Sequence, residues 1–361
     1  MKTIQVESGS RNLPSEIPIQ EMPAHTGGEG HVYMSCDGQH VVKVFHKPPL
    51  SKTELLRTVV RLGYCLAPVE ERLLAWPLGV ATQLDRRPCV GVITRRVKTP
   101  FQALVQMILP RAAQQCFRQG LSYLNLLKIA RNCATGIANI HDKGMVHADI
   151  HYRNFLVDPK SAQVVVIDLD GLVVDGFLPP QVDGMMGFMA PEIILRKAKP
   201  NEFSDRHSLA VLILHILLLR NVMQPLYCYD EDDQQRSDMA GYGQYACFSE
   251  NPVDQRNRPA NLGVPFYRNG CLSFQSLTPR LQKLSERALL HGLRKPAVRP
   301  SAKEWEVALG EAMATAFKCP QCQQDFVYPT WLTPALRRRC PFCGHGVGKL
   351  SSCQKGVHAS A

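Results

Sequence analysis

Apolar and polar residues alternate along positions 29–98, and after Pro100 they recur at helical spacing instead. The change of period divides the chain in two. In the first part HVYMS (31–35) and HVVKVF (40–45) flank CDGQ, which predicts a hairpin. GVATQLD (79–85) and CVGVITRRV (89–97) predict a second hairpin, turning at RRP. Between them TELLRTVVRLGY (53–64) has the spacing of one amphipathic helix. Residues 1–24 are polar and broken by prolines, and are expected to be extended or edge structure.

In the second part SYLNLLKIARNCATGIANIHDKG (122–144) reads as a long amphipathic helix with a Lys-Gly stop. FLVD (155–158) and VVVIDLD (164–170) read as short strands, and residues 205–220 as a buried helix. Its apolar run LAVLILHILLL (209–219) is shorter than a bilayer span and contains His215, so no membrane association is expected. Residues 227–278 are rich in Asp, Gln, Asn, Gly and Pro and predict an irregular insertion loop. Helices resume at LTPRLQKLSERALLHGL (277–293) and SAKEWEVALGEAMATAF (301–317). The fold class is α+β: an N-terminal extension (1–24), a small strand-rich lobe (25–97), a larger helical lobe (98–315) and a compositionally distinct tail (316–361).

Composition changes this picture little. The 361 residues are 45% hydrophobic and 20% charged, enough to bury a core. The net charge of +11 reads as a solubility surface or as attraction to anionic partners. No basic run is interleaved with aromatics, so nucleic acid is not expected. Nine of the thirteen cysteines stand singly, and MKTIQVESGSRNLPSEIPI has no apolar core of a secretory signal. A reducing, cytoplasmic setting is expected.

Candidate chemistry begins at TGGEGHVY (26–33), a glycine cluster that could cradle phosphates or simply close a tight hairpin. Ten residues after Tyr33, Lys43 stands between Val42 and Val44, which share the opposite face of the strand. Lys43 would then face a nucleotide. In VHADIHYRN, Asp149 and Asn154 are five apart, which in a loop lets the Asp accept a hydroxyl proton beside a metal-holding Asn. Fourteen residues on, Asp168 ends the apolar run VVVID, a suitable place for a Mg²⁺ ligand. Each item has a plain structural alternative; their order along one chain is hard to obtain by chance.

With that order in place, the chain resembles a eukaryotic-type protein kinase over roughly residues 20–315. The resemblance implies a bilobal kinase fold and the cofactors ATP and Mg²⁺. Gly27, Gly28, Gly30 and Val32 would cover the nucleotide, and Lys43 would pair with the α- and β-phosphates. Asp149 would be the catalytic base, with Asn154 and Asp168 on Mg²⁺. Thr94 falls at the gatekeeper position, with Arg95–Val97 as hinge. Arg299 would pair with Glu192 of MAPE, and Asp205 would brace the catalytic loop. For the helix glutamate that meets Lys43, Glu54 is favoured over Glu70 and Glu71.

The chain departs from the family pattern at several points. His25 stands where the first loop glycine would fall, and DLDG replaces DFG, so Asp170 is a candidate second carboxylate on the metal side. Ala148 replaces the Arg that receives an activation-loop phosphate, and residues 168–192 contain no Ser, Thr or Tyr. Control by activation-loop phosphorylation is therefore not expected. His151 and Met185 replace the Lys and Thr of Ser/Thr-specific enzymes, and Arg153 sits where tyrosine-specific members often place Arg. Ser/Thr remains the default acceptor. IDxD and the pattern WPLGV…VITRRV…RPSAKEW look like a bacterial group found with von Willebrand-A proteins and metal-dependent phosphatases of tellurite-resistance clusters. Such proteins, and a protein substrate, are the implied partners. Two other functions stay open: an aminoglycoside-kinase-like small-molecule phosphotransferase, and a pseudokinase scaffold.

The tail adds a second chemistry. Cys319, Cys322, Cys340 and Cys343 form CxxC-x17-CxxC, the spacing of a closed, structural Zn²⁺ site in a zinc ribbon. Redox dithiols are the alternative, without their usual βαβ context. LRRRC (336–340) is either a docking surface or a solvated face.

Overall fold

The computed structural model describes residues 1–7, 10, 12–180, 184–260, 262–327 and 339–347, with only the backbone of Val69. The chain forms two compact units: Met1–Phe101 with Val165–Gln181, and Gln102–Val164 with Val182–Ala361.

The first unit is built on an antiparallel sheet. Its strands are β1 (Lys2–Val6), β2 (Glu16–Ile19), β3 (His25–Thr26), β4 (Gly30–Met34), β5 (His40–Phe45), β6 (Pro77–Leu84) and β7 (Arg87–Arg95), in the order β2-β1-β6-β7-β5-β4-β3. The sheet curls until its ends meet: Gln20 N donates to Met34 O at 3.0 Å and Cys36 N to Pro18 O at 2.8 Å. Ile4, Ile17, Ile19, Tyr33, Val42, Val44, Ala81 and Ile93 fill the resulting interior. Residues 1–24 thus contribute two strands to this sheet. Both expected hairpins form, at β4–β5 and β6–β7. Because side chains alternate, burying Val42 and Val44 turns Lys43 and Phe45 to the other face. There α1 (Lys52–Leu62) packs Leu56 and Val60 on Val80 and Val92.

The second unit is helical. In α2 (Tyr123–His141) the Ser122 side chain accepts from Asn125 N and starts the helix. In α3 (Glu202–Leu218) Asn201 and Ser204 form a capping box, and residues 207–218 are all buried, which explains an apolar surface on every side. The last long helix, α4 (Ala302–Ala314), begins with a Ser301–Glu304 capping box and packs against α2. Residues 227–278 differ from the expected irregular loop. Short helices at Gln234–Met239 and Phe266–Asn269 form there, because Asp233 caps the first and buried Phe248, Phe266 and Leu272 anchor the stretch.

The described part of the tail belongs to the helical unit. Strands β8 (Ala316–Lys318) and β9 (Asp325–Val327) pair antiparallel. Phe342, fully buried, packs its ring against Phe117, Tyr123, Phe266 and Tyr267. Phe266 N donates to Pro341 O and Tyr267 N to Phe342 O, and Gln324 Nε2 donates to Leu121 O. The cysteine segment is therefore seated on the helices. Of the remaining tail, residues 328–338 and 348–361, including most of LRRRC, lie outside the described residues.

Candidate active site and cysteine centre

The Asp149 loop is held from both sides within the helical unit. Asp205 of α3 accepts from His147 N at 2.7 Å and from Ala148 N at 2.9 Å, and its Oδ2 also meets His141 Nε2 at 2.9 Å. Ala148 has φ of 68°, a left-handed conformation that an L-residue adopts only when held there. The Asp205 carboxylate does the holding, as the resemblance implied.

Asp149 accepts four hydrogen bonds, three on its carboxylate and one on its carbonyl. Its Oδ1 accepts from Met185 N at 3.0 Å, and its Oδ2 accepts from His151 Nε2 and Asn154 Nδ2, each at 3.1 Å. Asn154 Nδ2 also donates to Asp149 O at 2.9 Å. Arg153 N donates to His151 Nδ1, so that nitrogen is unprotonated and Nε2 carries the proton given to Asp149. Burial pushes the Asp149 carboxyl pKa up, but the His151 hydrogen bond, the electrostatic pull of the nearby His151 and His147 rings and the Asn154 hydrogen bond outweigh it. The net shift is downward. An ionised carboxylate at neutral pH can accept a proton. Gly184, at φ of 101°, lies against this loop, where a Cβ would come within 3.1 Å of Ala148 O.

Lys43 anchors the cluster in the strand unit. Its Nζ lies 2.7 Å from Glu29, 2.9 Å from Asp168 and 3.4 Å from Asp170. Burial disfavours the charged amine, but Asp170, Asp168 and Glu29 reverse that and raise its pKa. Asp170 is 6% exposed. Burial and the Asp168 charge push its pKa up to about 6 against the pull of Lys43 and Lys52. Lys52 Nζ, at the start of α1, reaches Asp170 O at 3.3 Å and Oδ2 at 3.5 Å.

One expectation is corrected. Glu54 does not meet Lys43: it is exposed and pairs with Arg57 at 2.9 Å and Arg61 at 3.4 Å. The stripe Lys52, Leu56, Val59, Val60 is the buried face of α1, and Glu54 lies off it. Glu70 instead accepts from Ala67 N at its own helix start.

Gly27 and Gly28 form the turn between β3 and β4, closed by Gly27 N donating to Gly30 O. A Cβ on Gly28 would meet nothing within 4 Å, whereas one on Gly30 would lie 2.2 Å from Val44 O. Gly30 is thus required by strand packing. Val32 pairs with Lys43 across the sheet, and Thr94 sits half-buried on β7 opposite Val41. Arg299, fully buried, grips Glu192 with both terminal nitrogens, at 2.6 and 2.9 Å. A separate cavity of about 1130 Å³ beside Glu192, Lys197 and Arg294 holds none of the catalytic candidates.

The structure therefore joins Lys43 to Asp168 and Asp149 to Asn154. Sequence reasoning missed Glu29 and Lys52. Lys52 could have been found, because it lies four residues before Leu56 on the buried stripe; Glu29 carries no such signal.

Two tests bear on metals. Asn154 is buried, its Nδ2 is used on Asp149, and its Oδ1 accepts nothing among the described residues. Asp168, about a third exposed, stands two residues past the strand Val164–Val166, in the left-handed region. Each residue, within its own unit, offers a hard oxygen of the kind that Mg²⁺ takes. In the tail, the sulfurs of Cys319, Cys322, Cys340 and Cys343 lie within 4.8 Å of one another, with Cys319–Cys343 at 3.8 Å and Cys322–Cys340 at 3.7 Å. Tetrahedral Zn–S bonds of about 2.3 Å place sulfurs about 3.8 Å apart, so the four are compatible with Zn²⁺. A disulfide would need about 2.05 Å.

Among the described residues no helix is long and apolar enough to cross a membrane. Two curated relatives are named Protein kinase YegI. The Escherichia coli K12 protein is 26% identical over 341 residues, covering 88% of this chain and 47% of its own length. That of Escherichia coli O157:H7 is 27% identical with the same coverage. This chain therefore spans just under half the length of these relatives. A dual serine/threonine and tyrosine protein kinase of Apis mellifera is 28% identical over 97 residues, 26% of this chain and 10% of its own. Residues 108–291 match the protein kinase domain family, just over half of the chain, and the chain belongs to that family.

Proposed function

We propose that the chain is an ATP- and Mg²⁺-dependent protein kinase acting on a protein hydroxyl. The observation that carries the reading is the Asp149 carboxylate, kept ionised and aimed by His151, Asn154 and Met185 N. ATP supplies the γ-phosphoryl group and Mg²⁺ neutralises its charge. Asp149 takes the acceptor proton as the new oxygen–phosphorus bond forms and the bond to the β-phosphate breaks. Asn154 and Asp168 hold the metal, and Lys43 leaves its carboxylates to meet the α- and β-phosphates. Glu29 stands at the turn with Gly27 and Gly28, beside the nucleotide.

Ser or Thr is the acceptor we favour, as the default of the bacterial kinases that the sequence resembles. Activation-loop phosphorylation is not needed: the Asp205 carboxylate already holds Ala148, and the segment from Asp168 to Glu192 has no hydroxyl to modify. The four cysteines hold a structural Zn²⁺ that fastens the tail to the helices. A von Willebrand-A protein and a metal-dependent phosphatase are the proposed partners, in the cytoplasm, on the family resemblance alone.

The test is transfer from labelled ATP with Mg²⁺, using wild type and Asp149→Ala, to the chain itself, to added proteins and to small hydroxylated compounds. Label on Ser or Thr, lost in the variant, is expected. Transfer to small molecules alone would support the aminoglycoside-kinase-like alternative, against which the Glu192–Arg299 pair stands. Nucleotide binding without transfer would support a scaffold.

A further inference from the structure

Helix α1 presents a cation, not a carboxylate, to the lysine cluster. Lys52 is its first residue, and the positive end of a helix is an unfavourable place for an amine. It is also buried, at 6% exposure, which costs free energy unless the charge is matched. The match is Asp170. Lys52 reaches both its carbonyl and its Oδ2, and its Nζ lies 4.5 Å from the centre of the Phe45 ring. Lys43 meets the same Oδ2 at 3.4 Å and the same ring at 5.2 Å. Asp170 is thus held between two amines, one from β5 and one from α1. The only acid in the first turn of α1, Glu54, is turned away onto Arg57 and Arg61.

We propose that Lys52 is a positioning residue of the nucleotide site, fixing Asp170 and through it the place of Lys43. This rests on the kinase reading. Around Lys43 and Lys52 stand three carboxylates, Glu29, Asp168 and Asp170. Without Lys52 all three act on Lys43 alone. The amine is then bound more tightly to Asp170, and the site becomes more negative toward an incoming polyphosphate. The place of α1 is read out through Asp170, with no direct carboxylate–lysine bond from the helix.

The experiment measures the Kd for ADP at fixed Mg²⁺ by calorimetry, for wild type, Lys52→Met, Asp170→Asn and the double variant, with circular dichroism as a folding control. Lys52→Met should weaken binding on the order of tenfold, the loss expected for one charge-assisted partner of a buried group. Lys52→Arg should stay within about threefold of wild type. In the Asp170→Asn background Lys52→Met should add less than about twofold, because two residues acting through one contact are not additive. Additive losses, or a Lys52→Met protein that folds and binds like wild type, would overturn the proposal and leave the kinase reading standing. If wild type binds no ADP, both fall. Should Lys52→Met not fold, Lys52→Arg against Lys52→Gln makes the same comparison.

Discussion

The Asp149 loop and the Lys43 cluster both gather charged groups, but from very different lengths of chain. Within the loop, Asp149, His151 and Asn154 lie within six residues, and among the described residues the loop's distant hydrogen-bond partners include Asp205 and Met185. The Lys43 cluster draws Glu29, Lys43, Lys52, Asp168 and Asp170 from a turn, a strand, a helix start and the helical turn that follows a strand. In the loop, hydrogen-bond donors orient one carboxylate. In the cluster, amines and carboxylates neutralise one another. The first arrangement is a local motif, while the second exists only once the sheet has curled and α1 has docked.

The sharpest way to break this comparison is at Asp149. Asp149→Asn keeps the shape and removes the base. A loss of about 10²–10⁴-fold in transfer rate is expected, with nucleotide Kd nearly unchanged. A variant that loses ADP binding equally with transfer would show that the loop does more than accept a proton.

The same contrast explains what could be read from the sequence. Both hairpins, the long helix, the buried helix and the four cysteines follow from period, caps and spacing, which are short-range. So does HADIHYRN, whose members need only a loop to meet. The Glu54 assignment failed because an acidic residue near a helix start looks the same whether it faces inward or outward. The stripe Lys52, Leu56, Val59, Val60 held the answer, but a lysine at a helix start reads as solvated. The curled sheet was also out of reach. Gln20 meets Met34 only through a closure that no local pattern encodes. Phe342 likewise gave no sign that the cysteine segment would seat on helices rather than stand apart.

That seating gives the next largest effect. A zinc ribbon that stood alone would lose its fold on chelation and leave the helices untouched. Here Phe342 is an anchor in their core. Phe342→Ala should cost about 3–5 kcal/mol, and the melting temperature should fall by roughly 6–20 °C. Stripping the metal with a chelator should shift the same transition, and metal analysis should return one Zn²⁺ per chain. A helical transition indifferent to both treatments would mean that the tail and the helices are energetically separate.

The smallest expected effects distinguish the carboxylates around Lys43. Glu29 is half-exposed, so Glu29→Gln should change the Kd for ADP by at most about fivefold. Its removal frees Lys43 for the phosphates while also removing a negative charge from the nucleotide's approach. Both effects favour the polyanion, so the sign should be toward tighter binding. Glu54→Gln should leave that Kd unchanged, because among the described residues the Glu54 carboxylate pairs only with Arg57 and Arg61, and Arg57 keeps its second partner, Glu7, at 2.6 Å. A Glu54 variant that lost ADP binding as Lys52→Met is expected to would mean that α1 turns about its axis when nucleotide enters. In that case the carboxylate, not the amine, would be the group the helix brings to Lys43.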